Sequence, residues 1–298
     1  MELLTGRIVK AISGFYYVFT AEQRVRCCRA RGVFKKRGIS PVVGDQVEVE
    51  PIGANEGIVV SVAQRTNQLV RPVISNVDQA LLVFALVDPP LSFFQLDKMI
   101  AAIERERVAI AIAFTKGDLP GADAVFAAAN AIYSAIGYPV TRLSVKQGLG
   151  LGRTELSHLL ADKVTVMAGQ SGVGKSTILS HLSPESGAIT GAVGERSHRG
   201  RHTTTHVELF PVDSGFLADT PGFSQIDLTD LELDDLGPLF RDFVQQAPQC
   251  EFRGCLHEVE QGCEVRVAVE QQRIVRSRYT HYLQLLQELK EAKARRYS

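Results

Sequence analysis

The chain is 298 residues long, 45% hydrophobic and 22% charged, with 33 acidic side chains balancing 33 lysines and arginines. Such a composition belongs to a soluble globular protein of two or three domains, and no apolar run reaches the roughly 18 residues that a membrane span needs. Zero net charge argues against a protein coated in nucleic acid along its whole length, and Met1-Glu2-Leu3-Leu4-Thr5 lacks the basic start and long apolar stretch of a secretory leader, so a cytoplasmic protein is expected.

Charge is nevertheless segregated. Arg24, Arg26, Arg29, Arg31, Lys35, Lys36 and Arg37 crowd one early stretch, while Asp227, Asp230, Glu232, Asp234 and Asp235 crowd a later one; local fields, not the total, decide what docks. From Thr5 to Thr66 five short β-rich segments follow one another (6–10, 15–19, 25–28, 46–49 and 57–62), separated by Gly, Pro and Asn turns. They predict a small barrel of the OB type. The basic stretch, with Phe34 beside Lys35 and with Tyr16 and Tyr17 upstream, offers the cations and stacking faces of a nucleic-acid surface. A barrel without a ligand is the alternative, because fold alone does not specify function.

From Asn76 the rhythm changes to strands alternating with helices. Residues 80–86 and 108–114 are continuous apolar runs, as buried parallel strands require, and 94–106 reads as the helix between them. A helix over 122–136, a strand over 138–143, a helix over 155–160 and a strand over 163–168 complete a three-layer α/β domain. Beyond Phe223 the chain turns acidic, then cysteine-bearing, and a helix over 277–296 ends on basic residues. These readings divide the chain into 1–66, 67–230 and 231–298.

The 163–168 strand runs into Gly169-Gln170-Ser171-Gly172-Val173-Gly174-Lys175-Ser176, followed by Thr177 and a helix. In that context the pattern is a phosphate-binding loop: inward N–H groups and a helix N-terminus cradle phosphates, Lys175 reaches the terminal ones, and Ser176 offers a hydroxyl to Mg2+. Thr115-Lys116-Gly117-Asp118 ends the 108–114 strand, where ligand-contacting loops of open α/β sheets belong. Asp118 can accept from the ring N–H and the exocyclic amine of guanine, and Lys116 can lie along the base. Adenine lacks that donor pair, and each lost charged hydrogen bond costs about 1.5–3 kcal/mol. An ATPase using the same phosphate loop is the enzymatic rival.

Three further segments fit a GTP site. Ser144-Val145-Lys146 stands where a second base-contacting loop belongs, and Arg201-His202-Thr203-Thr204-Thr205 where a switch threonine, Thr204, would complete a Mg2+ shell. In Asp219-Thr220-Pro221-Gly222, Asp219 can hold the ion through water and the Gly222 N–H can reach the γ-phosphate. The order along the chain is base loop, second base loop, phosphate loop, switch I, switch II. An ordinary GTPase begins with the phosphate loop, so the domain is read as circularly permuted.

Five cysteines fall in two places. Cys27 and Cys28 read as barrel residues, while Cys250-x4-Cys255-x-His257-x5-Cys263 offers three thiolates and one imidazole, the tetrahedral set of a closed structural Zn2+ site. Free cysteines beside a surface histidine are the alternative. Arg273, Arg276, Arg278, Lys290, Lys293, Arg295 and Arg296 give the last helix either a second RNA contact or a solvated face of a helix packed on the nucleotide domain.

These motifs together resemble the RsgA/YjeQ family of circularly permuted, small-subunit-dependent GTPases. The resemblance covers nearly the whole chain, including Asn76-Val77-Asp78-Gln79 at the start of the nucleotide domain. It implies a bacterial maturation factor that binds the 30S ribosomal subunit and its 16S rRNA and hydrolyses GTP there. The expected fold is then an α/β, circularly permuted P-loop GTPase domain preceded by an OB barrel and followed by a small zinc-binding helical domain. Nothing in the sequence calls for an oligomer, so a monomer is expected. A zinc-containing RNA-binding protein with a structural or sensory nucleotide pocket is the rival.

Two departures bear on mechanism. Thr115 stands where the family has Asn, and threonine lacks the amide that braces the phosphate loop, so weakened nucleotide affinity is expected; submicromolar GDP affinity would contradict it. Phe223 follows the switch II glycine, where many GTPases carry a water-orienting glutamine. His202 is the candidate replacement, with a solvated loop histidine as its alternative.

Overall fold

The computed structural model describes residues 2–32, 34, 38–144, 152–183, 207–219 and 228–296. Strands β1 (Leu4–Ile12), β2 (Phe15–Thr20), β3 (Val25–Ala30), β4 (Gln46–Pro51) and β5 (Glu56–Val62) close into a barrel of order β1-β2-β3-β5-β4. Its interior is small and apolar: Ile8, Val18, Cys28, Phe34, Val47, Val49 and Val59 pack together there. The alternation of β2 sends Tyr16 to that interior and Phe15, Tyr17 and Phe19 outward, and Tyr17 and Phe19 then pack into the core of the next domain.

This placement corrects the reading of the barrel's aromatics. Phe34 is buried in the barrel core and is no free stacking face, and Tyr17 is half-buried against the second domain. Phe15 is exposed on the barrel, with the Arg29 guanidinium 4.8 Å from its ring centroid. Arg26 is also structural, donating to the Gly53 carbonyl at 2.7 Å and to Glu22 at 3.2 Å.

A hairpin that the sequence reading had passed over, β6 (Gln68–Val70) and β7 (Val73–Ser75), leads into the second sheet. Asn76 reaches back to the barrel, its amide donating to the Gly44 carbonyl at 3.0 Å, while Asp78 and Gln79 anchor the start of the second domain: the Asp78 carboxylate accepts from the Val164 N–H at 2.7 Å, and the Gln79 amide donates to Leu159 O and Thr165 Oγ1. Asp45, fully buried, accepts from Arg65 and Ser75 and ties the barrel to the same junction.

The second sheet comprises β8 (Gln79–Ala85), β9 (Ala109–Thr115), β10 (Val140–Arg142), β11 (Val164–Ala168), β12 (Leu209–Val212) and β13 (Gly215–Asp219) in the order β10-β9-β8-β11-β13-β12. All neighbours are parallel except β12, which is antiparallel to β13. Helices α1 (Phe93–Arg105), α2 (Ala122–Ala135), α3 (Arg153–Leu160) and α4 (Lys175–Leu182) join the strands. The chain builds β8, β9 and β10 outward, then returns to place β11 on the other side of β8. That reversal creates a topological switch point between β8 and β11, with a crevice at their carboxyl ends. The strand expected over 138–143 is shorter, because Tyr138 leaves the sheet edge for the core and its hydroxyl donates to Glu104.

The C-terminal part contains α5 (Arg241–Val244), α6 (Glu264–Glu270) and the long α7 (Arg276–Arg296) around a core of Phe240, Phe243, Val265, Tyr282, Leu286 and neighbours. Helix α1 is its floor: Ala101 and Ala102 belong to this core, whereas Leu96, Ile100 and Ile103 face the sheet. Among the described residues no helix is long and apolar enough to cross a membrane.

Candidate nucleotide and metal sites

The phosphate loop bridges β11 and α4. Gly169, Gly172 and Gly174 have φ of +153°, +79° and +102°, and a Cβ on Gly169 would lie 2.1 Å from the Val83 carbonyl oxygen, so only glycine lets the loop lie against β8. Gly174 caps α4, which begins at Lys175 and aims its positive end at the loop. The Lys175 ammonium lies within the loop and donates to the Gly169 and Gln170 carbonyls, each at 2.8 Å.

The Thr115–Asp118 loop leaves β9 beside it. Thr115 is buried and its hydroxyl donates to the Val173 carbonyl at 2.6 Å, across 58 residues of chain. This corrects the expectation that threonine leaves the phosphate loop unbraced, because the hydroxyl makes the tie directly. Thr115→Val keeps the volume and removes the donor, and should weaken GDP binding about fivefold, the worth of roughly 1 kcal/mol for one hydrogen bond; calorimetric titration with GDP checks it.

Asp118 is exposed at the crevice, while Gly117 beside it is buried. Lys116 has φ +57° and its ammonium reaches the Asp88 carbonyl and, at 3.6 Å, the Asp88 carboxylate. Ser144 follows β10 and is fully buried, and its hydroxyl has no hydrogen-bond partner among the described residues. A buried, unpaired hydroxyl costs about 1–3 kcal/mol, so one at the edge of a cleft is a ready contact for a ligand. The structure therefore brings Thr115, Lys116, Asp118 and Ser144 to the same sheet edge as Gly169–Thr177. Lys146, His202, Thr204 and Gly222 lie outside the described residues, and of Asp219 only its backbone, at the end of β13, is described.

Arg142 was missed in the sequence reading. It donates from Nε to the Gly117 carbonyl at 3.0 Å and pairs with Asp123 at 2.7 Å. A lone arginine at the end of a short strand, two residues before Ser144, was the available signal.

Cys250, Cys255, His257 and Cys263 converge, with one ligand atom from each lying within 4.8 Å of all the others. The His257 Nδ1 is 3.7 Å from Cys250 Sγ and 3.4 Å from Cys263 Sγ. A tetrahedral ion with metal–sulfur and metal–nitrogen bonds of about 2.3 and 2.0 Å requires separations near 3.6 Å, so the donors fit one. Burial lowers the His257 pKa, which keeps its imidazole neutral as a ligand must be. Burial also pushes the Cys255 thiol up to about 12 and raises that of Cys263, an effect that a bound cation reverses. The Glu260 carboxylate, against its own burial, is held below its ordinary pKa by backbone N–H donors that include those of Leu256, Glu258 and Val259, and so it fixes the loop carrying His257.

Three of the cations of the final helix are tied down. Arg278 is buried against Asp97 and Asp242, Lys290 pairs with Glu258, and Lys293 with Glu232. The helix packs on α1 of the nucleotide domain through Arg278 and Asp97, while Arg273, Arg276, Arg295 and Arg296 stay exposed.

The permuted strand order, the phosphate loop and the guanine-type loop at one sheet edge define a circularly permuted P-loop GTPase. Family models agree with that class: residues 62–229 match the RsgA GTPase domain and 5–59 the RsgA N-terminal domain. The chain is 46% identical over 292 residues to the small ribosomal subunit biogenesis GTPase RsgA of Shouchella clausii, covering 97% of this chain and 99% of that one. It is 43% identical to the protein of the same name from Bacillus subtilis, covering 97% and 99%. Among solved structures it superposes on YloQ, described as a circularly permuted GTPase, with TM-score 0.81, 38% identity and 97% and 96% coverage. YjeQ from Thermotoga maritima gives TM-score 0.81, 32% identity and 97% and 99% coverage. The chain belongs to the RsgA GTPase family and is a GTP-hydrolysing enzyme.

Proposed function

We propose that this GTPase docks on the small (30S) ribosomal subunit during its maturation, contacts 16S rRNA, and hydrolyses GTP there with its turnover stimulated by the subunit. One observation carries the nucleotide reading: the hydrogen bond from Thr115 to Val173 ties the base loop to the phosphate loop, so one ligand can meet both. Asp118 and Lys116 then read guanine, with Ser144 and Lys146 from the second base loop. Residues Gly169, Gln170, Ser171, Gly172, Val173, Gly174, Lys175, Ser176 and Thr177 surround the phosphates, Lys175 exchanging loop carbonyls for phosphate oxygens. Ser176 and Thr204 would hold Mg2+, with Asp219 reaching it through water, and the ion would supply positive charge to the phosphates. The Gly222 N–H meets the γ-phosphate, and His202 positions the attacking water in place of the glutamine that Phe223 displaces.

The donor set of three thiolates and a neutral imidazole favours Zn2+ as the ion of the C-terminal site. Residues 1–66 serve as the RNA-binding part, 67–230 as the GTPase and 231–298 as the zinc-binding part of a cytoplasmic monomer. The names of the relatives support the ribosomal assignment, as does the exposed Arg24, Arg29 and Phe15 face of the barrel.

Phosphate release measured with and without 30S particles tests this reading. The parent should turn over slowly alone and at least tenfold faster with subunits, and His202→Ala should lose most of that stimulation while retaining GDP affinity. Equal stimulation of both proteins removes His202 from the mechanism. Nucleotide binding without multiple turnover in the presence of subunits would instead favour an RNA-binding protein with a structural nucleotide pocket.

A further inference from the structure

Arg142 ends β10, in register with Phe114 at the end of β9, which places it beside the loop that carries Lys116 and Asp118. Its guanidinium engages three things at once: Nε and Nη2 donate to the Gly117 carbonyl, Nη1 pairs with Asp123 at 2.7 Å in the first turn of α2, and the carbon centre lies 5.5 Å from the Phe126 ring centroid. Gly117 is held from its other side too, its N–H donating to the Leu143 carbonyl at 2.9 Å. A Cβ on Gly117 would lie 2.7 Å from both Arg142 Cγ and Nε, so the arginine lies directly against that residue's α-carbon.

The Gly117 carbonyl belongs to the peptide unit whose nitrogen is that of Asp118. Fixing this unit places the Asp118 nitrogen and α-carbon and so narrows the directions its side chain can take. Lys116, on the other side of Gly117, sits at φ +57°, a conformation that lysine keeps only where its surroundings hold it there. Thr115 anchors the opposite end of the loop to Val173. The loop is thus pinned at both ends, by Thr115 toward the phosphates and by Arg142 toward the second base loop. A carboxylate that must meet two donors on a planar base tolerates little misplacement.

We propose that Arg142 is a positioning residue for guanine recognition, holding the Gly117–Asp118 peptide so that Asp118 meets both donors of the base. This rests on the reading that Asp118 contacts the base. Lysine could satisfy the Gly117 carbonyl, but a single ammonium cannot also grip Asp123 and lie over Phe126 as the planar fork does. Arg142→Lys should therefore rescue only part of the loss caused by Arg142→Met, which keeps the apolar stem.

The test is competition binding of GDP, IDP and ADP to the parent, Arg142→Met and Arg142→Lys. Hypoxanthine lacks the exocyclic amine, so IDP reports one of the two Asp118 contacts. The expected result is about a tenfold loss of GDP affinity in Arg142→Met, the worth of one charged hydrogen bond. IDP should lose less and ADP remain unchanged, so the preference for GDP over IDP shrinks; Arg142→Lys should fall between, and KM for GTP should rise with kcat retained. An unchanged ratio of GDP to IDP affinity, or an equal loss for all three nucleotides, overturns the proposal. A parent that binds GDP and ADP alike overturns the underlying reading of Asp118 and the proposal with it.

Discussion

Arg278→Met should destabilise the protein by about 3–5 kcal/mol, the usual cost of stripping one partner from a buried ion pair. Arg278 and Asp97 are each only 1% exposed. The guanidinium donates to Asp97 at 2.5 Å and through Nε and Nη2 to both oxygens of Asp242, at 2.9 and 2.8 Å. Asp97 also accepts from Tyr133 at 3.0 Å and pairs with His281 at 2.6 Å. This cluster joins α1 and α2 of the GTPase domain to α5 and α7 of the C-terminal part. Removing the arginine strips the cation from two buried carboxylates, Asp97 and Asp242, whereas Asp97→Asn leaves Arg278 still paired with Asp242. Urea denaturation followed by circular dichroism should therefore rank Arg278→Met as the more damaging. GDP affinity should change less than twofold in either variant, since neither residue lies at the phosphate or base loop. Equal stability of Arg278→Met and parent would show that this junction contributes nothing.

Metal removal should be the second large effect. Around Cys250–Cys263 the chain has little regular structure, and the site is backed by Phe243 and Tyr282 packed near His257. Structural Zn2+ binds with roughly 10–16 kcal/mol at neutral pH, and in such small sites that free energy is folding free energy. A strong chelator, or Cys263→Ser, should release the ion and unfold 250–263 together with the start of α6, for which Cys263 is the N-cap. Metal analysis should fall from one ion per chain to less than about 0.1, with increased proteolysis in this segment and GDP affinity kept. Binding must take protons from thiols that burial holds up, so retention of the ion should weaken as pH falls. Full metal content in Cys263→Ser would exclude that thiol as a ligand.

Local chemistry made much of this protein legible in advance. The phosphate loop announces itself because glycine, lysine and serine at fixed offsets are what a strand-to-helix turn needs to wrap a phosphate. The five barrel segments and the buried strands follow from their apolar periodicity, and the cysteine set from the requirements of tetrahedral coordination. The sequential order of the loops was enough to call for a permuted sheet, and the strand order bears that out.

Which face a residue would spend its chemistry on was another matter. Arg278 was read as one of several surface cations and lies in the core instead, because its partner Asp97 is 181 residues away and meets it only when α7 packs on α1. Tyr17 and Phe34 look alike as aromatics beside basic residues, yet one is covered by the second domain and the other by the barrel. Arg142 carries no motif at all; its place against the base loop comes from β10 lying in register with β9, which puts a guanidinium on the Gly117 carbonyl. Even Thr115, read as the loss of a brace, supplies one through a bond to Val173 that only the approach of β9 to the phosphate loop permits. Residue types and their spacing determined the chemistry available to this chain. Packing between segments distant in sequence decided which side chains hold the fold together and which of those remaining line the crevice.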